Sequence, residues 1–82
     1  MVLRAEGIEV RVTVRFYAGL GDRRAAEVEL PAGARLADLF SSLGLDEREV
    51  HLVIVDGRIV HDRDVFLSDR ARIALFPPVG GG

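Results

Sequence analysis

Only one stretch of this chain carries a helical period. Leu36, Leu39, Phe40 and Leu43 recur at i, i+3, i+4 and i+7 within residues 35–43, which makes a single apolar helical face. The other patterned stretches are β-rich, the first two alternating with a period of two, so the chain is expected to fold as strands that share one helix. Residues 8–17 set Val10, Val12, Val14 and Phe16 on one side against Arg11, Thr13 and Arg15 on the other. Gly19 to Asp22 is a turn cluster. Val28 and Leu30 then alternate with Glu27 and Glu29 until Pro31 and Gly33 end the run, and the two runs read as a hairpin.

Gly44 is placed to stop the helix. At its start Ala34 stands where Ser, Thr or Asp caps best, a loss of about 1 kcal/mol. After the helix, Val50–Val55 and Arg58–Val60 flank Asp56-Gly57, a strong tight-hairpin signal. A polar stretch, His61–Asp64, leads into Val65-Phe66-Leu67. The last strand is Ala71–Phe76, with Ile73 and Leu75 on one face, and it ends at Pro77-Pro78, which cannot donate to a ladder. Val79-Gly80-Gly81-Gly82 follows as a tail. The order is strand, strand, helix, strand, short strand, strand. That order predicts one α+β domain over residues 1–78, a mixed sheet of four to five strands with one main helix on one face, and a flexible tail over 79–82.

With 82 residues there is room for one modest core and little room for an enclosed active site. No cysteine occurs, which excludes disulfides, thiolate metal sites and cysteine nucleophiles. The net charge is −2, from 13 acids and 11 bases, and no basic stripe marks a nucleic-acid surface. Met1–Gly7 lacks the apolar core of a signal peptide, and no apolar run approaches the roughly 20 residues of a membrane helix. A cytoplasmic protein without nucleic-acid or membrane partners is the expectation. All the bases are arginines, so no lysine side chain is available for isopeptide conjugation. Absence of Asn, Gln and Cys fits a heat-adapted source, and a GC-rich genome would also favour Arg over Lys.

No catalytic constellation stands out. His51 and His61 lack partners at a metal-ligand spacing, and Asp62, Asp64 and Asp69 do not form a calcium loop. Gly19-Leu20-Gly21 is followed by no strand-to-helix switch and reads as a turn. Ser41, Ser42 and Ser68 lack the context of a nucleophile. The tail carries more. Three glycines beyond two prolines make a strip without side chains, able to enter a narrow channel and to reach roughly 13 Å when extended. Its reactive group is the carboxylate of Gly82. A second signal is apolar residues on the face away from the helix: if Leu52 and Ile54 face the core, then Val53 and Val55 face outward with Ala74 and Phe76. Such a patch beside the tail marks a partner surface.

The markers Val-Arg-Phe-Tyr-Ala at 14–18, Leu-Pro-Ala-Gly at 30–33, Leu36, Leu39 and Leu43, Val55-Asp56-Gly57 and above all Ala-Leu-Phe-Pro-Pro-Val-Gly-Gly-Gly at 74–82 resemble the MoaD/ThiS family of sulfur carriers. The resemblance spans about residues 10–82. It implies a β-grasp, ubiquitin-like fold. It also implies a carrier, not an enzyme, whose terminal Gly82 carboxylate is adenylated by an E1-like enzyme using ATP and Mg²⁺. Sulfur from a persulfide donor then converts it to a thiocarboxylate. No cofactor is implied on the chain itself. Gly80 and Gly81 would give access, and Phe76, Val53, Val55, Ala74 and Val79 would dock partners. Phe-Pro-Pro-Val and the length favour the molybdopterin-synthase small subunit, with the synthase large subunit as acceptor. The alternatives are a carrier for thiazole synthase or tRNA thiolation, or a ubiquitin-like protein modifier.

Overall fold

The computed structural model describes residues 9–17 and 25–78. The turn expected at 19–22 and the tail residues Val79, Gly80, Gly81 and Gly82 lie outside the described residues. Strand β1 (Glu9–Phe16) buries Val10, Val12 and Val14 and exposes Arg11 and Arg15, as its alternation predicts. Antiparallel β2 (Ala25–Pro31) sets Leu30, Val28 and Ala26 opposite those valines, so the core side is continuous across the hairpin. Pro31 is tolerated as the last residue of an edge strand. The chain then turns at Gly33, whose φ of 87° suits glycine, and Ala34 N–H donates to the Pro31 carbonyl at 3.0 Å.

Helix α1 (Leu36–Leu43) buries Leu36, Leu39 and Phe40. It ends in a Schellman motif: Gly44 takes φ 72°, its N–H donates to the Ser41 carbonyl, and Leu45 N–H donates to the Phe40 carbonyl at 2.9 Å. The helix start differs from the expectation. Ala34 is buried, and Arg35 takes the capping position, with the Asp38 carboxylate accepting Arg35 N–H at 2.8 Å. Leu36 and Ala37 N–H donate to the Val65 and Arg63 carbonyls. A distant loop therefore satisfies the donors that a cap residue would otherwise serve.

A short 3₁₀ turn (Glu47–Glu49), capped by Asp46, delays β3 to Leu52–Val55. Asp56 and Gly57 both take positive φ, the signature of a type I′ turn, and return the chain as the two-residue β4 (Arg58–Ile59). Val65-Phe66-Leu67 makes a single bridge, Phe66 to Arg35, and Leu67 enters the core. After a turn at Asp69-Arg70, β5 (Arg72–Phe76) runs parallel to β1 and antiparallel to β3. The sheet order is β2-β1-β5-β3-β4. This is the mixed sheet with one helix expected of a β-grasp fold. Its core lies between α1 and one sheet face, where Val12, Val14, Leu36, Leu39 and Leu75 are wholly buried. Each such side chain contributes about 1.5–3 kcal/mol.

Candidate functional site

Helix α1 covers one face of the sheet, and among the described residues no element covers the other. Its residues follow from strand parity. On β1 these are Arg11, Thr13 and Arg15; on β5, Arg72, Ala74 and Phe76. Register then assigns β3. Val53 pairs with Leu75 and Val55 with Ile73, both core-facing on β5, whereas Leu52 pairs with Phe76 and Ile54 with Ala74. The expected outward placement of Val53 and Val55 is therefore reversed: Val53 is 1 % exposed and Val55 packs against the core. Every position of Leu-Val-Ile-Val is apolar, so its alternation carries no parity signal.

The open face is thus built from Leu52, Ile54, Ala74 and Phe76, with Ile59 beside Ile54 on β4. Ile59 is 57 % exposed. Tyr17, directly after β1, stacks on Phe76 with ring centroids 4.6 Å apart and planes 8° from parallel. That contact fixes both rings just before Pro77-Pro78. Phe76 is held further by its carbonyl, which accepts His51 N–H at 2.8 Å. Next to these residues lies an open concavity of about 500 Å³ bordered by Arg15, Tyr17, Ile54, Gly57, Arg72 and Ala74. Sequence reading identified Ala74 and Phe76 but missed Tyr17, Leu52, Ile54 and Ile59. Of these, Tyr17 was legible, since it follows the outward Arg15 by two positions.

The charges on this face differ along it. Arg11 is hydrogen-bonded to Glu29, its Nε lying 3.2 Å from the carboxylate, and that bond, with Glu27 nearby, raises its already high pKa. No group of three His, Cys, Asp or Glu side chains among the described residues could hold a metal ion. His51 and His61 are both exposed. Among the described residues no helix is long and apolar enough to cross a membrane. The face offers exposed apolar side chains, two stacked rings and guanidinium groups beside the open concavity, groups of the kind found at protein interfaces.

The sequence pattern of the ThiS family matches residues 14–82. A proposed molybdopterin converting factor subunit 1 from Pyrococcus furiosus is 31 % identical, covering 85 % of this chain and 99 % of its own, with a TM-score of 0.69. SAMP1 from Haloferax volcanii shares the fold at 21 % identity, covering 88 % and 99 %, with a TM-score of 0.72. A chain in the complex of subunits 1 and 2 of molybdopterin-converting factor from Helicobacter pylori does so at 24 %, covering 89 % and 100 %, with a TM-score of 0.65. No curated protein matches.

Proposed function

The chain belongs to the ThiS family, and from that premise we propose that it carries sulfur on the carboxylate of Gly82 for the assembly of molybdopterin. The observation that carries this reading is the family match extending to residue 82, which places Val-Gly-Gly-Gly inside the family's own pattern. The pathway is favoured by the Pyrococcus furiosus relative, described as a molybdopterin converting factor subunit.

The chemistry suits a chain without catalytic side chains. A carboxylate is a poor electrophile. In an E1-like partner holding ATP and Mg²⁺, its oxygen attacks the α-phosphate, pyrophosphate leaves, and an acyl adenylate forms. The terminal sulfur of a donor persulfide displaces AMP from the carbonyl, giving an acyl disulfide. A thiol cleaves its S–S bond and leaves the thiocarboxylate on Gly82. The carrier then docks on a synthase large subunit, where that sulfur attacks the substrate. Gly80 and Gly81 let the tail enter a channel without Cβ clashes. Phe76 and Ala74, joined by Leu52 and Ile54 in place of Val53 and Val55, form the apolar part of the docking face.

Intact mass after incubation with ATP, Mg²⁺, a sulfur source and the organism's activating enzyme tests the reading. A gain of about 16 Da located on Gly82, and lost when Gly82 is deleted, is the expected result. No gain with an enzyme competent on another carrier would overturn it. Attachment of Gly82 to lysines of other proteins would instead make the chain a modifier.

A further inference from the structure

Arg15 and Arg72 are drawn together by the parallel pairing of β1 and β5. Arg15 pairs with Ala74 and Arg72 with Thr13, so the two arginines are diagonal neighbours on the open face. Both are exposed. Among the described residues neither guanidinium has an ion-pair or hydrogen-bond partner. Among the described residues, none of the nearby acids forms an ion pair with either guanidinium. Glu29 binds Arg11, and the Asp56 carboxylate accepts the backbone N–H of Arg72 at 2.9 Å. Glu27 stands opposite Thr13, and Arg15 has only Ala25 across the strand. This chain, whose net charge is −2, thus places two exposed guanidinium groups on the border of the open concavity, together with Tyr17, Ile54 and Ala74.

We propose that this face docks a carboxylate-bearing segment of a partner protein, its acidic side chains on Arg15 and Arg72 and its apolar side chains on Ile54 and Ala74. A guanidinium is a planar fork that receives a carboxylate through two parallel hydrogen bonds. A free anion would gain nothing from the adjoining Ile54, Ala74 and stacked rings, whereas a protein segment uses both parts. Opposed charge at such a patch sets register and speeds encounter. The inference deepens the carrier reading, and rests on it for the identity of the partner, the E1-like adenylating enzyme.

The test titrates the ¹⁵N-labelled full chain with that enzyme in the absence of ATP. Amide shifts of Arg15, Ile54, Arg72 and Ala74 are expected to move. R15E/R72E should raise Kd at least tenfold, R15K/R72K, which keeps the charge but loses the fork, should raise it by less, and R35E, at the start of the helix on the covered side, should stay within twofold. Wild-type binding should weaken as salt rises, and R15E/R72E binding should weaken less. The amide spectrum of each variant confirms folding. Equal affinity of R15E/R72E and wild type, or shifts confined to the helix side, would overturn the inference while the mass gain on Gly82 left the carrier reading standing. Absence of both binding and mass gain would overturn both. Self-association of the chain alone, lost in R15E/R72E, would make a second copy the occupant and overturn the inference as well.

Discussion

At the scale of single residues, backbone conformation makes the sharpest demands. Arg70 takes φ 69°, a left-handed conformation that costs an L-residue about 1–2 kcal/mol and glycine almost nothing. The turn tolerates it because neighbouring hydrogen bonds hold it: Asp69 accepts Arg11 N–H at 2.9 Å, and Arg70 N–H donates to the Arg11 carbonyl. Arg70→Gly should therefore raise stability by about 0.5–1 kcal/mol, after the entropy that glycine adds to the unfolded chain, read as a higher midpoint in urea. Asp46 offers a pH test. Its side-chain hydrogen bond from Arg48, helped by the Arg48 backbone N–H, holds its carboxyl below the ordinary value. A carboxyl depressed on folding contributes stability that is complete above its unfolded pKa and lost as pH falls through the folded one. The stability difference between wild type and Asp46→Asn should accordingly shrink as pH falls below about 4, checked by urea unfolding at a series of pH values.

At the scale of elements, the helix start separates local from tertiary capping. Asp38 accepts the Arg35 N–H, and the first helical donors reach the carbonyls of Val65 and Arg63. Asp38→Ala should cost about 1 kcal/mol. Ala34→Ser, the change that a sequence rule recommends, should give no gain. Residue 34 lies one position before the cap and is 5 % exposed, so a hydroxyl there is buried without a donor to serve. Thermal unfolding of the two variants side by side decides the matter, and a stabilised Ala34→Ser would refute it.

For the whole molecule, the sheet has one face packed on the helix and one open face, and β3 is where they are easiest to confuse. Val53 lies in the core with Leu75 across the strand, while Ile54 is half-buried on the open face against Ala74. Val53→Thr should cost about 1–3 kcal/mol, because it buries a hydroxyl without changing volume. Ile54→Thr should cost under about 1 kcal/mol and instead weaken partner binding. Urea unfolding paired with titration of the adenylating enzyme reads both effects, and the opposite ranking of stabilities would contradict the face assignment.

Sequence alone determined the elements of this protein, because their signals are local: the two alternating runs of the first hairpin, the single helical stripe, the Gly44 stop and the Asp56-Gly57 turn all act over a few residues. The same local pattern at 74–82 placed the chain among sulfur carriers. What only the tertiary structure decided depends on partners distant in the chain. The Leu-Val-Ile-Val run has no polar member to mark its outer side, so pairing with β5 sets its parity. Donors at the helix start are met by a loop that no capping rule connects to them. Arg15 and Arg72 are unremarkable apart; the parallel register of β1 with β5 makes them diagonal neighbours on the open face. Local geometry is encoded in short-range torsions and periodicity, whereas a surface arises only where strands from the two ends of the chain meet.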